Sequence, residues 1–378
     1  MTKLVSVIMA TYNSEEFISK TIDSVLNQSY QNMEFIIVDD ASTDRTREVI
    51  QSFSDIRIKQ ITMHENRHVC AACNLAFELA RGDYIAFIGH DDIWEKSKIE
   101  KQIEFLERNG EYGICFSWAS IIDESGSEIN IKEEPLYRLF HQPNRTRGEW
   151  IAQLIKGKNC MCAASAVIRR DIFTKLEGYH YGLLQLQDYE LWLKALLYDN
   201  IFVYPEELVA YRKFQTRTSL SDNTDSKKMI RIINEYHYIM RKFIKSMPDE
   251  LFIEAFQASF KDKGASNCEE IACEKAFFLM SMNHPFYVDE FMELLNQKSS
   301  REILRDNYQL TEKGFYEMSK SRLYWDENLY EKQKKIIAEY ELGFKQIEDK
   351  MSYFDQYMKE KDNYIKQLEE AFEKHKKG

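Results

Sequence analysis

Val5-Ser-Val-Ile-Met-Ala-Thr-Tyr-Asn13 and Phe35-Ile-Ile-Val-Asp-Asp-Ala-Ser-Thr-Asp44 decide how this chain folds. Each is a short β-branched, apolar run that stops at small, hydrogen-bonding residues and passes into a helical pattern. Runs that are apolar throughout, rather than at alternate positions, belong to strands buried on both faces, as in parallel sheets. The two segments therefore predict neighbouring parallel strands that end side by side, and in open α/β sheets that carboxyl edge is where ligands bind.

The neighbouring sequence extends this pattern. Ser14-Glu-Glu-Phe17 reads as the cap of a helix over 14–28, with Phe17, Ile18, Ile22, Val25 and Leu26 on one face. A strand over 34–39, a helix over 44–53 and a strand over 56–61 follow. This βαβαβ order predicts a doubly wound sheet with helices on both faces. A helix over 69–80, a strand over 84–88 and a helix over 95–108 continue it, with short strands at 114–118 and 121–122. The polar segment 126–146 reads as a mobile loop over the sheet and a candidate lid. A strand over 208–211 closes the region.

Beyond Ser221 the composition turns to Lys, Glu, Met, Phe and Tyr with helical spacing over 227–245, 249–261 and 268–282. The expected organisation is an α/β domain over 1–222, a helical domain over 223–325 and a C-terminal helix over 326–378. In that last stretch Tyr330, Ile337, Tyr340, Phe344, Ile347, Met351, Phe354 and Met358 follow an alternating three-four spacing. The spacing predicts a coiled coil and self-association, or a helix folded back on the helical region.

A formal net charge of −11 over 378 residues argues against a nucleic-acid partner, which demands clustered Lys and Arg. No apolar run reaches the ~18 residues of a membrane span, and no cleavable leader is evident, so the expected setting is cytoplasmic, at most peripheral at the inner face of the membrane. Seven cysteines, an odd number, suit reduced thiols. Cys70-Ala-Ala-Cys73 lacks the second pair that a structural zinc site needs and reads as helix packing.

A third segment, Tyr84-Ile-Ala-Phe-Ile-Gly-His-Asp-Asp-Ile-Trp94, places adjacent carboxylates at a strand end. Two such charges in a low-dielectric site persist most easily with a cation between them and a substrate. Together the three segments, over roughly the first 220 residues, resemble the family-2 glycosyltransferases of the GT-A fold. The resemblance implies Ala10, Tyr12 and Glu15 around a uracil base and Asp40 on its imide N–H, although Asp39 and Asp40 are also placed to cap the next helix. It implies Asp91 at ribose or metal and Asp92 as ligand of a Mn²⁺ or Mg²⁺ ion on the donor diphosphate. Gly89 stands where the commonest family pattern has an acidic residue. His90 reads equally as a ligand or a loop hydrogen-bonder, and Arg67 and His68 fall where the family often has a cation near the base.

Leu184-Gln-Leu-Gln-Asp-Tyr-Glu-Leu-Trp-Leu-Lys194 resembles the family segment that supplies the catalytic base, which falls on Asp188, with Glu190 a weaker alternative. A carboxylate at a helix start should have its pKa lowered unless burial opposes this. Gln187 replaces the usual acidic neighbour, and Phe214 replaces a usual histidine, leaving Arg212, Lys213 or Arg217 to offset phosphate charge. The resemblance thus implies an inverting, metal-dependent transferase moving a sugar from a UDP-sugar to a glycan or lipid-linked glycan acceptor in polysaccharide synthesis. The alternative, motivated by Gly89, Gln187 and Phe214, is a non-catalytic assembly protein that recruits partners through its helical tail.

Overall fold

The structure is a computed structural model that describes residues 2–129, 134–157, 159–214 and 226–319, with isolated helical positions beyond. Among these residues β1 (Val5–Thr11), β2 (Met33–Asp39), β3 (Ile58–Thr62), β4 (Tyr84–Phe87), β5 (Ile93–Trp94), β6 (Tyr112–Ile122), β7 (Val167–Arg169) and β8 (Asn200–Arg212) form one mixed sheet. Their spatial order is β3-β2-β1-β4-β7-β6-β8-β5. β1, β2, β3 and β4 are parallel, with Thr11 opposite Asp39, so their carboxyl ends share one edge. β7 enters antiparallel beside β4 and turns the sheet from a purely parallel one into a mixed one.

Both faces of the sheet are covered, which is why β1, β2 and β4 are apolar at most positions rather than at alternate ones. On one face α1 (Ile18–Leu26) buries Ile18, Ile22 and Val25 in a cluster with Val5, Val7, Met9, Phe35 and Ile37. Each such side chain contributes roughly 1.5–3 kcal/mol relative to exposure. α3 (His68–Leu79) packs on β1 and β2 through small buried residues, among them Ala72, Cys73 and Ala76. α2 (Thr46–Gln51) and α4 (Lys98–Arg108) complete the first half. All seven cysteines are free thiols and all but Cys268 are buried, as packing predicts.

Several expectations are corrected. Ser14 does not cap α1, which starts at Ile18 behind Phe17; its hydroxyl instead bonds Thr11 Oγ1 at 2.5 Å and its N–H donates to Thr46 Oγ1 at 2.7 Å. The two short strands near 114–122 are one strand of 11 residues, β6, because β8 pairs along its whole length and irregularities around Ser117 and Trp118 absorb the mismatch. The strand expected at 208–211 is the last part of that 13-residue β8.

The described part of 126–146 is not a mobile loop. It holds α5 (Pro135–Phe140), whose Phe140 is buried in the core. Trp118 Nε1 donates to Gln142 O at 3.0 Å and Tyr137 Oη to Glu207 Oε1 at 2.9 Å. α6 (Arg147–Lys156) follows with a complete Thr146/Glu149 capping box.

After α7 (Arg170–Leu176) and α8 (Gln187–Ala195), the helical region comprises α9 (Ser226–Ser246), α10 (Asp249–Phe256), α11 (Cys268–Ser281), α12 (Tyr287–Asn296), α13 (Lys298–Asp306) and α14 (Glu312–Ser319). Residues Met1–Phe315 form one compact unit, so α9 to α13 pack with the sheet domain. α10 rests on α6, and Gly148 N donates to Glu254 Oε1 at 2.9 Å. The expected coiled coil over 326–378 lies outside the described residues. Among the described residues, no helix is long and apolar enough to cross a membrane.

Candidate active site

The carboxyl edge of β1, β2 and β4 gathers the residues singled out above. Ala10 lies in β1 and Tyr12, 42% exposed, stands just beyond it. Asn13 takes a left-handed conformation (φ 49°) and its Oδ1 accepts Thr43 N at 2.8 Å, which joins the turns after β1 and β2. Glu15 accepts both the backbone N–H (2.8 Å) and Nε (3.1 Å) of Arg45, so its carboxylate braces this rim.

Of the acidic pair after β2, Asp39 is fully buried and accepts from Ser42 N and from Arg47 Nε. Asp40 accepts Arg67 N at 2.7 Å and so ties this edge to the start of α3. Neither caps α2, whose first N–H, that of Thr46, is met by Asp44.

Asp91 and Asp92 sit between β4 and β5. Asp92 is 4% exposed, and burial together with the neighbouring Asp91 charge pushes its carboxyl well above the usual range. It accepts Arg212 N at 3.0 Å. Thr21 Oγ1 donates to the carbonyls of His90 and Asp92, anchoring the turn to α1. A Cβ on Gly89 would lie 2.7 Å from Asp92 Oδ2 and 3.0 Å from Asp91 Oδ1. The two carboxylates thus fold over position 89 and occupy the space a side chain there would need.

Arg212 differs from the expectation of a cation facing phosphate. It is 3% exposed, with Nε on Asp91 O (2.9 Å) and one terminal nitrogen on the carbonyls of Asp123 and Glu124 (2.7 and 3.1 Å). It holds the carboxylate turn from below. Phe214 packs edge-on against Phe17, with ring centroids 5.2 Å apart, and Arg217 lies outside the described residues.

Asp188 is the second residue of α8, past the Leu186 N-cap, and Asn159 Nδ2 donates to its Oδ2 at 3.2 Å. Burial outweighs the helix-terminus effect and pushes its carboxyl up to about 6, opposite to the direction a helix start alone would give. Three residues beyond Asn159, the Cys162 thiol is raised by burial and then by the charge of Asp92. Asn159, which holds Asp188, and Cys162, which feels the charge of Asp92, thus belong to one short segment. Glu190 is also raised by burial, opposed by Lys194.

A functional residue that the sequence did not signal is Glu235, on α9. Buried at 6% exposure, it accepts three successive backbone N–H groups of the segment leading into α8: Leu184 (3.0 Å), Gln185 (2.9 Å) and Leu186 (2.8 Å). Upstream, Asn74 exchanges two 2.8 Å hydrogen bonds with the backbone of Tyr179, and Cys70 Sγ donates to Leu183 O. The approach to Asp188 is thus fixed from α3 and α9 together. Removing a buried acceptor leaves its donors unpaired at roughly 1–3 kcal/mol. Glu235→Ala is expected to lower kcat by about tenfold or more with donor KM unchanged, and Glu235→Gln, which keeps one carbonyl oxygen, by less. Steady-state kinetics check this, and an unchanged kcat in the Ala variant would contradict it.

Carboxylate oxygens are the donor type that suits Mg²⁺ or Mn²⁺. Among the described residues no group of three or more His, Cys, Asp and Glu side chains is placed to hold an ion. The protein offers the Asp91–Asp92 pair, which fits an ion completed by substrate phosphates, the usual arrangement for Mg²⁺.

Residues 6–176 match the family model described as Glycosyl transferase family 2. The chain is 30% identical over 256 residues to the UDP-Glc:alpha-D-GlcNAc-diphosphoundecaprenol beta-1,3-glucosyltransferase WfaP of Escherichia coli, an alignment covering 64% of this chain and 95% of that protein. The E. coli enzyme of the same description, WfgD, is 32% identical over 220 residues, covering 58% and 80%. In fold it is similar to S. aureus TarS 1–349, solved in complex with UDP-GlcNAc, with a TM-score of 0.53 at 18% identity over 84% of this chain and 92% of that one.

Proposed function

Because the chain belongs to glycosyl transferase family 2 and is a glycosyltransferase, we propose that it transfers a sugar from a UDP-linked donor to a hydroxyl of a glycan or lipid-linked glycan in polysaccharide synthesis, with inversion at the anomeric carbon. The observation that carries this reading is the half-buried Asp188 at the start of α8, held by Asn159 with its carboxyl raised to about 6, in the same compact unit as the Asp91–Asp92 turn. The names of WfaP and WfgD support a UDP-sugar donor and a diphosphate-lipid-linked acceptor.

In this reading Ala10, Tyr12 and Asp40 receive the base, and Glu15 keeps the rim in place. Asp91 and Asp92 would hold a divalent cation, which when bound offsets the charge of the departing diphosphate. Asp188 takes the proton of the acceptor hydroxyl while that oxygen bonds the anomeric carbon opposite the breaking bond to phosphate. One displacement inverts the centre and releases UDP. A raised pKa is what such a base needs, because it stays charged near neutrality yet holds a proton more strongly than an exposed aspartate. An acceptor carried on a lipid would bring the enzyme to the membrane surface.

Calorimetric titration of UDP, against GDP and TDP, with and without Mn²⁺, on the wild type and on Asp92→Ala, tests the donor half. UDP binding strengthened by Mn²⁺ and lost in Asp92→Ala is the expected result. Absence of nucleotide binding under every condition would overturn the reading.

A further inference from the structure

A cavity of about 390 Å³ opens between the start of α3, the 180–184 segment and α9. Its polar lining includes Arg67, His68, His180, Tyr181, Arg231 and Tyr238. We propose that this cleft is the acceptor subsite, and that it takes the phosphate-bearing end of a phosphorylated saccharide such as a sugar diphosphate lipid. The proposal rests on the transferase reading above and assigns its second substrate.

Four observations carry it. First, the lining is cationic on a chain of net charge −11. Arg67 and Arg231 have no ion-pair or side-chain hydrogen-bond partner among the described residues, whereas arginines such as Arg45, Arg47, Arg57 and Arg241 are paired. Unpaired guanidinium groups converging on one cleft suit phosphate oxygens. The start of α3 adds its N–H groups and dipole on the same wall.

Second, the acidic group in the lining, Glu235, is turned onto three backbone amide donors of the floor, and the two arginines outnumber it. Third, the cleft presents a ring surface and a directed donor. Tyr181 is 63% exposed. His180 Nδ1 accepts Gly182 N at 3.0 Å, which places the ring proton on Nε2, 3.0 Å from Tyr238 Oη. That tautomer donates to the tyrosine oxygen and leaves the phenolic O–H for a ligand. His68, at φ 65°, holds a left-handed conformation that costs energy for a residue other than glycine, a strain found at ligand sites.

Fourth, the cleft borders both halves of the reaction. Arg67 N donates to Asp40, on the donor side. The floor, Leu183 and Leu184, runs within a few residues into Asp188, and Cys70, also in the lining, lies within the electrostatic reach of Asp188 and Glu235. A saccharide whose phosphate sits on Arg67 and Arg231 extends its hydroxyls toward the base.

The test is titration of a short-chain prenyl-diphospho-N-acetylglucosamine against the wild type, Arg67→Gln, Arg231→Gln and the double variant, with UDP titrated in parallel. Both positions are exposed, so the variants should fold. Each substitution is expected to weaken the prenyl-diphospho sugar about tenfold and to flatten the salt dependence of its binding, with UDP affinity unchanged in Arg231→Gln. Under turnover the acceptor KM should rise by the same factor and kcat hold. A neutral alkyl N-acetylglucosaminide should be bound equally by all four proteins. Equal binding of the prenyl-diphospho sugar by wild type and variants, no binding by any of them, or loss of UDP affinity in its place in Arg231→Gln would overturn the proposal. Absence of UDP binding to the wild type would overturn the transferase reading alone, since the acceptor titration is independent of it.

Discussion

Replacing Asp188 by Asn is expected to lower kcat by about 10²–10⁴-fold, the range for loss of a general base, while UDP affinity stays at the wild-type level. The same residue sets the pH dependence. Burial holds its carboxyl at about 6, so it is charged and able to take a proton above that pH and protonated below it. Transfer should therefore fall about tenfold per pH unit below 6. Gln187→Glu, which places a like charge beside the base, should move this limb to higher pH.

Stability should move the other way. A carboxyl raised from 3.8 to about 6 binds its proton more tightly in the folded than in the unfolded chain, so stability declines as pH rises through that window and is then level. The Asn variant escapes this cost and should melt higher than wild type above pH 6, by at most on the order of 3 kcal/mol. Turnover at the wild-type rate in Asp188→Asn would remove the residue from the mechanism. A purely structural aspartate would give neither the acid limb nor the opposed changes in rate and melting temperature.

Gly89→Ala carries the second large effect. Its added carbon would lie 2.7 Å from Asp92 Oδ2, closer than such contacts allow, and Asp92 is buried and held by Arg212 N. One carboxylate must leave its place. Mn²⁺-dependent UDP binding is expected to weaken at least about tenfold, and transfer to fall with it, in proportion to the lost charge-assisted contacts. The Asp188 acid limb should stay where it is. Gly89→Asp, which restores the commoner family residue, is expected to do worse than Gly89→Ala because it adds both bulk and a third carboxylate. Calorimetry across the three proteins checks this, and wild-type affinity in Gly89→Ala would refute the packing argument.

The parallel half of the sheet was legible because local sequence largely determines it: strands buried on both faces are mostly apolar rather than alternating, and β1, β2 and β4 are. Asp40, Asp91, Asp92 and Asp188 were visible because each sits at a strand end or helix start. The mixed half was harder. β6 contains Ala119 and Ser120, where the strand reading broke, but β8 runs alongside and supplies a partner some 90 residues away. Pro205 and two glutamates likewise disguised the middle of β8. Nor does the local pattern of α4 announce that Lys98 is fully buried beside Gln102 Oε1 (2.8 Å) and the Trp94 ring, its pKa pushed down to about 7 by burial. Glu235 left no local trace, since its three partners lie 49–51 residues earlier.

Glu235 also bears on how this protein can be recombined with its relatives. A chimaera crossing over between Leu186 and Glu235 would unite a base segment from one parent with a helix from another, and three amides would have to find a foreign carboxylate in register. The nucleotide half before α7 makes no such demand on α9. The smallest fragment that carries an aligned base must therefore extend through α9.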